Sequence, residues 1–278
     1  MGGIFRAQKP RDLRDAVVLI TGAASGIGRA TARAFAAAGT RLVLADINGE
    51  GLETVRAELA ETSVPILTVT ADTRRDDDLA ALVSAARDEF GRIDVLVNNA
   101  GRALGGPIQQ QDPARLRAML ETNLYGAMRL TQLVVPLMLA QGDGHLVFIS
   151  STTAPVPAPG LATYGATKAA LWYFGHAVRH ELAGTGIGVS VVMPGWTRTP
   201  MVEAVPEGPI REAGITADPP EVPAAAIVEA VRHGRAEVML GGRATRVFVL
   251  IQKLAPWLMP RIWRRIVSPA YLDAVSHL

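Results

Sequence analysis

The sequence contains no cysteine. Disulfides, thiolate metal sites and iron–sulfur clusters are therefore excluded, because each of them requires a cysteine sulfur. Two histidines, His176 and His180, stand one helical turn apart, but neither a cysteine nor an acidic cluster accompanies them. We therefore expect no metal site. A chain without cysteine also fits a reducing compartment, so we expect a cytoplasmic protein.

Long apolar runs are missing as well. The run "VFVLI" ends at Gln252 and Lys253, well short of the ~20 apolar residues that a membrane-spanning helix needs. The formal net charge is only +2, which does not predict the basic surface that nucleic acids bind, so no nucleic-acid partner is expected. Residues 1–14 carry charges without the apolar core of a secretory signal, and we expect a flexible leader there.

Short apolar runs and alanine-rich segments alternate along most of the chain. The runs are typical of strands buried on both faces, and they lie at 16–21, 41–46, 65–72, 93–101, 144–151 and 187–195. The segments of helical length lie at 27–38, 51–61, 76–90, 113–140 and 163–183. This alternation predicts one α/β domain over 15–240, with helices on both faces of a doubly wound parallel sheet. Ligands of such sheets bind at the carboxyl ends of the strands.

A glycine-rich turn follows the first predicted strand. In "TGAASGIGRA", Gly22, Gly26 and Gly28 stand between a strand and a helix. Glycines there permit a tight turn and close backbone approach, and the N-terminus of the following helix attracts a pyrophosphate. The turn therefore predicts a dinucleotide site, although an ordinary strand-to-helix turn has the same pattern.

The second predicted strand ends at Asp46. A carboxylate in this place accepts hydrogen bonds from the adenosine ribose hydroxyls and repels the 2′-phosphate of NADP. Ser25 and Ile47 provide no cation for such a phosphate. The sequence thus favours NAD over NADP, the alternative being that Asp46 is only a loop carboxylate.

Tyr164 and Lys168 lie at i and i+4 in "ATYGATKAAL", so they share one face of a predicted helix. Taken alone, such a pair is typical of a helix surface. Beside a nicotinamide site it has another meaning, because hydride transfer needs a separate proton donor or acceptor. A free tyrosine has a pKa of about 10. We expect the Lys168 charge, aided by an oxidised nicotinamide, to lower the pKa of Tyr164 toward neutrality.

Several motifs occur together in register from about residue 14 to 240. They are "TGAASGIG" from Thr21, "AD" at Ala71, "NNAG" from Asn98, "ISS" from Ile149, "YGATK" from Tyr164 and "PGWTRT" from Pro194. This set resembles the short-chain dehydrogenase/reductase family. The resemblance implies a Rossmann-like fold and an oxidoreductase that interconverts a secondary alcohol and its ketone with NAD(H), NADP(H) being the alternative. A catalytically silent nucleotide sensor on the same fold is the alternative of another class.

The resemblance also implies roles for individual residues. The catalytic set would be Asn123, Ser151, Tyr164 and Lys168, with Tyr164 as general acid/base. Ser150 competes with Ser151, and Asn123 is alternatively a helix residue that bonds locally. Asn98 either lines the adenine-ribose side or bridges strands. The implied cofactor-binding residues are Gly22, Ser25, Gly26, Ile27, Gly28, Asp46, Ile47, Asp72, Thr73, Asn99, Ala100, Gly101, Tyr164, Lys168, Pro194, Gly195, Thr197 and Thr199.

Two C-terminal segments bear on substrate and partners. Residues 200–223 match the family's variable substrate loop, and their apolar side chains favour a small hydrophobic alcohol or ketone. Residues 241–278 are expected to form a basic amphipathic helical extension. Within it, 243–267 either contacts a membrane surface peripherally or packs on the substrate mouth or a partner subunit. The family resemblance further implies a homodimer or homotetramer.

Overall fold

Seven parallel strands form the centre of the molecule, which a computed structural model describes over residues 10–278 apart from the side chain of Arg243. The strands are β1 (Val17–Thr21), β2 (Arg41–Asp46), β3 (Ile66–Thr70), β4 (Val95–Asn98), β5 (Gly144–Ile149), β6 (Ile187–Met193) and β7 (Glu237–Met239). Their order is β3-β2-β1-β4-β5-β6-β7, and every neighbouring pair is parallel. The chain changes direction across the sheet between β1 and β4. The predicted doubly wound sheet is thereby confirmed, and this switch point marks where a ligand binds.

Helices cover both faces of the sheet. They are α1 (Gly26–Ala37), α2 (Gly49–Glu58), α3 (Asp76–Phe90), α4 (Pro113–Leu120), α5 (Ala127–Gln141), α6 (Ala162–Glu181), α7 (Glu207–Glu212), α8 (Glu221–His233), α9 (Arg243–Leu254), α10 (Met259–Ile266) and α11 (Pro269–Val275). Short 3₁₀ turns lie at Ala60–Thr62, Ile108–Gln110, Pro200–Val202 and Pro256–Leu258.

Successive residues of each strand pack into two different apolar cores. On β1, Leu19 belongs to the core beneath α3, α5 and α6, whereas Ile20 belongs to the core beneath α1, α2 and α8. Both side chains are fully buried. Because neither face of the central strands β1, β4 and β5 meets water, these strands need buried residues at consecutive positions, most of them apolar. This is why they appear in the sequence as continuous apolar runs.

The structure departs from the predicted elements in three places. The strand β7 and the helix α8 were not predicted, and β7 is only a few residues long with an exposed Glu237. The helix predicted at 113–140 is divided into α4 and α5 by a π-helical turn, Glu121–Gly126. Such turns accommodate an extra residue and are frequent at functional sites. This one carries Asn123.

The predicted extension at 241–278 is helical and consists of α9, α10 and α11. The last of these packs with the segment predicted as a substrate loop. Together they form a third apolar cluster, whose buried members are Leu161, Val205, Ile210, Tyr271, Ala274, Val275 and Leu278. Across residues 10–278, none of the helices combines the length and hydropathy needed to cross a membrane.

The predicted leader lies mostly outside the described residues, since positions 1–9 are not among them. Its remaining part is attached to the domain. Arg11 forms an ion pair of 2.6 Å with Asp143, and Leu13 is buried in the core on the α1 side. From residue 11 onward the chain is therefore held against the sheet.

A buried histidine lies at the start of β5. The Nε2 atom of His145 is 2.8 Å from the hydroxyl oxygen of Ser190, which donates its own hydrogen to the carbonyl of Arg235 at 2.6 Å. Because a serine hydroxyl has a single hydrogen, Nε2 of His145 must be the donor in this pair. Burial, with smaller effects from Arg11 and Arg179, lowers the pKa of His145 to about 3.

Candidate active site

A cleft of about 550 Å³ opens at the carboxyl ends of the central strands. Its position follows from the switch point between β1 and β4. Eighteen of the predicted site residues line it: Gly22, Ser25, Gly26, Ile27, Asp46, Ile47, Asp72, Thr73, Asn99, Ala100, Gly101, Ser151, Tyr164, Lys168, Pro194, Gly195, Thr197 and Thr199. Only Gly28 and Asn123 of the predicted set lie outside the lining.

The glycine turn shapes one end of the cleft. Gly22 has a φ of 66°, which disfavours any other residue. The side-chain amide of Asn99 donates to the carbonyls of Thr21 at 2.8 Å and Gly22 at 3.1 Å, and this fixes the turn to the end of β4. Ser25 precedes α1 without a side-chain cap, so no side chain blocks the N–H groups of the first helical turn. These groups can bind a phosphate.

Gly28 contributes to this turn from behind. A Cβ atom at Gly28 would collide with the carbonyl oxygen of Gly22 and lie 2.6 Å from the Asn99 amide nitrogen. Its role is therefore close packing of α1 against the turn, which explains why it is absent from the lining.

Two acidic residues lie at the ends of β2 and β3. Asp46 accepts hydrogen bonds from the backbone N–H groups of Ala24 and Asn48, each at 3.0 Å. Asp72 forms an ion pair of 2.6 Å with Arg74, whose hydrogen bonds hold the pKa of Asp72 below its usual value. Arg74 itself lines the cleft.

The Tyr164, Ser151 and Lys168 side chains meet at the opposite end. The Tyr164 hydroxyl lies beside the hydroxyl of Ser151, whose oxygen accepts from the Thr153 N–H at 3.1 Å. The Nζ atom of Lys168 donates to the carbonyl of Ile149 at 2.9 Å and lies 5.8 Å from the centre of the Tyr164 ring. A proton donor, a second hydroxyl and a buried amine thus line the same cleft as the glycine turn, whose N–H groups can bind a phosphate.

A family model of short chain dehydrogenases matches residues 16–209. The chain belongs to the short-chain dehydrogenase/reductase family. It is 34% identical over 262 residues to dehydrogenase/reductase SDR family member 7B of Bos taurus, covering 90% of this chain and 81% of the relative.

Two solved structures are similar to this short-chain dehydrogenase. The 3-ketoacyl-(acyl-carrier-protein) reductase from Brucella melitensis, complexed with NADH, has a TM-score of 0.78 at 28% identity, covering 84% of this chain and 99% of that one. A variant actinorhodin polyketide ketoreductase with NADPH has a TM-score of 0.76 at 33% identity, covering 82% and 96%. The protein is accordingly an NAD(P)-dependent oxidoreductase, and the predicted family is confirmed.

The pKa values in this dehydrogenase differ from the expected ones. Burial raises the pKa of Tyr164 to about 12, although the Ser151 hydrogen bond acts in the opposite direction. Burial also lowers the pKa of Lys168 to about 8. The predicted lowering of the Tyr164 pKa, which involves an oxidised nicotinamide as well as Lys168, is absent from the chain without dinucleotide and stays a prediction for the complex. Removal of both groups from water dominates, because desolvation disfavours phenolate and ammonium alike.

The two adjacent serines at the end of β5 point in different directions. Ser151 lies beside Tyr164, whereas the Ser150 hydroxyl donates to the backbone carbonyl of Lys168 at 2.7 Å. Alternation along the strand produces this difference. It makes Ser151 the serine available to a substrate.

Asn123 is buried behind the cleft. Its amide oxygen accepts from the Arg102 N–H at 2.7 Å, and its amide nitrogen donates to the Arg102 carbonyl at 2.9 Å and the Thr167 hydroxyl at 3.0 Å. It thus ties the backbone after Gly101 to α6. A Cβ atom on Gly101 would lie 3.4 Å from both the Asn123 oxygen and Lys168 Nζ, so these two groups flank the same glycine. The geometry makes Asn123 a positioning residue.

Asn98 lies on the sheet side of this region and is buried. Its side-chain nitrogen donates to the Thr131 hydroxyl at 3.4 Å, which links β4 to α5, and it does not line the cleft. Of the two interpretations of Asn98, the contacts agree with the structural one.

Sequence reasoning missed part of the lining. Arg74, Arg102, Leu161, Trp196 and Leu278 all border the cleft without having been predicted. From the substrate loop, Met201 and Val202 reach the lining, whereas Val205 and Ile210 are buried against α11. Arg74 could have been found from its position two residues after Asp72, because a guanidinium there can pair with the carboxylate. Nothing in the local sequence indicated Leu278, because only the docking of α11 brings it to the site.

Proposed function

We propose that this enzyme interconverts a hydrophobic secondary alcohol and its ketone with NAD(H), using Tyr164 as general acid/base. The observation that carries the proposal is that the Tyr164 and Ser151 hydroxyls lie side by side next to the buried Lys168, in a cleft that also contains the glycine turn. A bound nicotinamide dinucleotide supplies or accepts the hydride. The proton must then come from the protein.

Each of the three side chains has a separate task. The Tyr164 hydroxyl gives its proton to the substrate oxygen during reduction and takes it back during oxidation. The Ser151 hydroxyl donates a hydrogen bond to the same oxygen and stabilises the negative charge that develops there. The amine of Lys168, when protonated, stabilises phenolate and can donate to a ribose hydroxyl. With a pKa of about 12, Tyr164 is protonated at neutral pH, which is the form that reduction requires.

Two properties of Asp46 support NAD. Each of its oxygens accepts one backbone N–H, which leaves further lone pairs for ribose hydroxyls. Its charge also repels a 2′-phosphate. One observation favours the alternative, an NADP(H)-dependent carbonyl reductase, because the Arg74 guanidinium lines the same cleft. Asp72 already neutralises this cation at 2.6 Å, and for that reason we favour NAD.

Titrations with both cofactors separate these two possibilities. If the enzyme uses NAD, it binds NADH more tightly than NADPH, and Asp46→Ala brings the two dissociation constants closer together. The Arg74→Gln substitution should then change neither affinity much. Tighter binding of NADPH that is weakened by Arg74→Gln would instead establish the NADP alternative.

The chemistry of the walls supports a hydrophobic substrate. Leu161, Trp196, Met201, Val202 and Leu278 line the substrate side of the cleft. Apolar surface there favours a ketone or alcohol whose transfer from water is favourable. By their names, both similar solved structures are reductases of keto compounds.

The test is a panel of hydrophobic ketones and alcohols, followed by nicotinamide absorbance. With any substrate found, Tyr164→Phe should lower turnover by roughly 10²- to 10⁴-fold. The matched control is Tyr173→Phe, since Tyr173 lies on the same helix but is 71% exposed. NADH binding should survive both changes. Full turnover by Tyr164→Phe would contradict the mechanism, and NADH binding without turnover on any substrate would favour the silent nucleotide sensor.

We also propose a homodimer or homotetramer. Large apolar side chains are exposed on the helical face formed by α4, the π-helical turn, α5 and α6, namely Leu120, Tyr125, Leu139 and Tyr173. Contact between two copies would remove them from water. Light scattering on the purified chain measures the assembly, and Tyr173→Ser should weaken it if α6 takes part.

A further inference from the structure

A stripe of exposed apolar side chains runs along α9 and through the turn after it. Val247 is 52% exposed, Leu250 57%, Leu254 69%, Trp257 65% and Leu258 39%. Their spacing of three or four residues places the three α9 members on one side of that helix. We call these five residues the apolar stripe.

Cations without acidic neighbours accompany the apolar stripe. Arg246 and Lys253 are exposed on α9, and Arg261, Arg264 and Arg265 are exposed on α10. No acidic residue occurs between Glu237 and Asp273 in the sequence. Within the described part of the chain, none of these five cations is in a salt bridge. The surface is therefore apolar and positively charged at once.

The stripe and the cations lie on two neighbouring helices that contact each other. The rings of Phe248 and Trp263 pack at a centroid distance of 5.5 Å, joining α9 to α10. Met259, at the start of α10, is buried. The apolar side chains of the stripe are exposed, whereas Phe248, Trp263 and Met259 of the same segment pack against other residues.

We propose that this surface docks on an anionic lipid bilayer. Exposed leucines and a tryptophan enter the headgroup boundary, while arginines and lysine bind lipid phosphates. Charge decides between a bilayer and a second copy of this chain. An isologous contact would place the same five cations against each other with no acid in the segment to neutralise them. An anionic bilayer is complementary to the apolar stripe and to the cations together.

The test is co-sedimentation of the full chain with vesicles. One vesicle is phosphatidylcholine alone, and the other is an equal mixture of phosphatidylcholine and phosphatidylglycerol. The chain should bind the anionic vesicles and bind phosphatidylcholine much more weakly. Binding should also weaken as salt is raised, because salt screens the cations.

Two sets of variants assign the binding to this surface. Replacing Arg261, Arg264 and Arg265 by Gln should weaken binding by roughly fivefold for each cation removed. The double change Leu254→Ser and Trp257→Ser should weaken it by roughly tenfold or more. The matched controls are Gln at Arg56, Arg87 and Arg117 for charge, and Ile108→Ser for exposed apolar surface, since Ile108 is 60% exposed. Both controls should bind like the original chain.

Each alternative outcome would overturn the proposal. Equal binding of both vesicle types would show that charge does not drive the docking. Absence of binding to either type would show that the surface does not dock on a bilayer. Normal binding by both variant sets would place the contact elsewhere. A dimer abolished by Leu254→Ser and Trp257→Ser, with no vesicle binding, would identify a second copy as the occupant. Since the variants change exposed side chains, an unchanged thermal midpoint confirms that each remains folded.

Discussion

The hydroxyl of Ser150 donates to the backbone carbonyl of Lys168 at 2.7 Å, and the amine of Lys168 donates in turn to the carbonyl of Ile149 at 2.9 Å. The end of β5 and the first half of α6 are thus tied together by reciprocal bonds. Both serines border the cleft, but the hydroxyl beside Tyr164 is that of Ser151, the next residue.

From this arrangement we expect opposite effects at the two serines. Ser151→Ala should lower kcat by roughly 10²-fold, because a donor to the substrate oxygen is lost. Ser150→Ala should retain most of the turnover and lose about 1 kcal/mol of unfolding free energy, since it removes a buried hydrogen bond. Steady-state kinetics and urea unfolding of both variants measure this. A larger kcat loss in Ser150→Ala would reverse the assignment.

The pKa of Lys168 predicts how reduction depends on pH. With a pKa of about 8, its amine loses its charge as the pH rises through that value, while Tyr164 stays protonated up to a pKa of about 12. We expect kcat/KM for ketone reduction to fall above about pH 8, because this ratio reports the groups of the enzyme that has not yet bound the ketone. The rate profile with a saturating dinucleotide measures it, and a level profile up to about pH 10 would contradict it.

His145 predicts a loss of stability in acid. Its folded pKa of about 3 lies below the usual histidine value of 6.5, so the unfolded chain binds the proton first as the pH falls. The unfolding free energy should therefore decrease below about pH 6.5, by about 2 kcal/mol between pH 7 and pH 5 from this residue. Urea unfolding of the original chain and of His145→Gln measures it. The variant should lack this part of the decrease in unfolding free energy. The same dependence of unfolding free energy on pH in both proteins would contradict the prediction.

The packing of Gly28 predicts a linked loss of cofactor affinity. An alanine methyl group would collide with the Gly22 carbonyl, so the turn must shift. Gly28→Ala should weaken NADH binding by roughly tenfold or more and reduce stability by about 1–3 kcal/mol. Gly208→Ala is the control, because nothing lies within 4 Å of a Cβ there. Calorimetric titration measures both; unchanged affinity in Gly28→Ala would show that the turn tolerates the methyl group.

Local chemistry made the sheet and the cofactor half of the cleft predictable. A strand buried on both faces must be apolar throughout, as β1 is, and a close-packed turn must contain glycine, as at Gly22 and Gly28. Each of these features is visible within a few residues of sequence. Strand alternation likewise separates the neighbouring Ser150 and Ser151, whose contacts the structure shows.

The substrate half depended on contacts distant in sequence. Leu278 lines the cleft only because α11 packs on Leu161 and Ile210. The raised pKa of Tyr164 depended chiefly on its burial, which spacing along a helix does not determine. Similarly, β7 has too few residues for a hydrophobic pattern and forms because β6 offers it an edge.

The position of α11 has a consequence for the order in which the protein folds during its synthesis. Chains leave the ribosome from the N-terminus, and domains begin to fold as they emerge. Tyr271, Val275 and Leu278 emerge after all seven strands and after Tyr164. The nascent enzyme can therefore complete its dinucleotide cleft while one wall of the substrate side is still being synthesised. Cofactor capture during translation can precede the enclosure that selects a substrate.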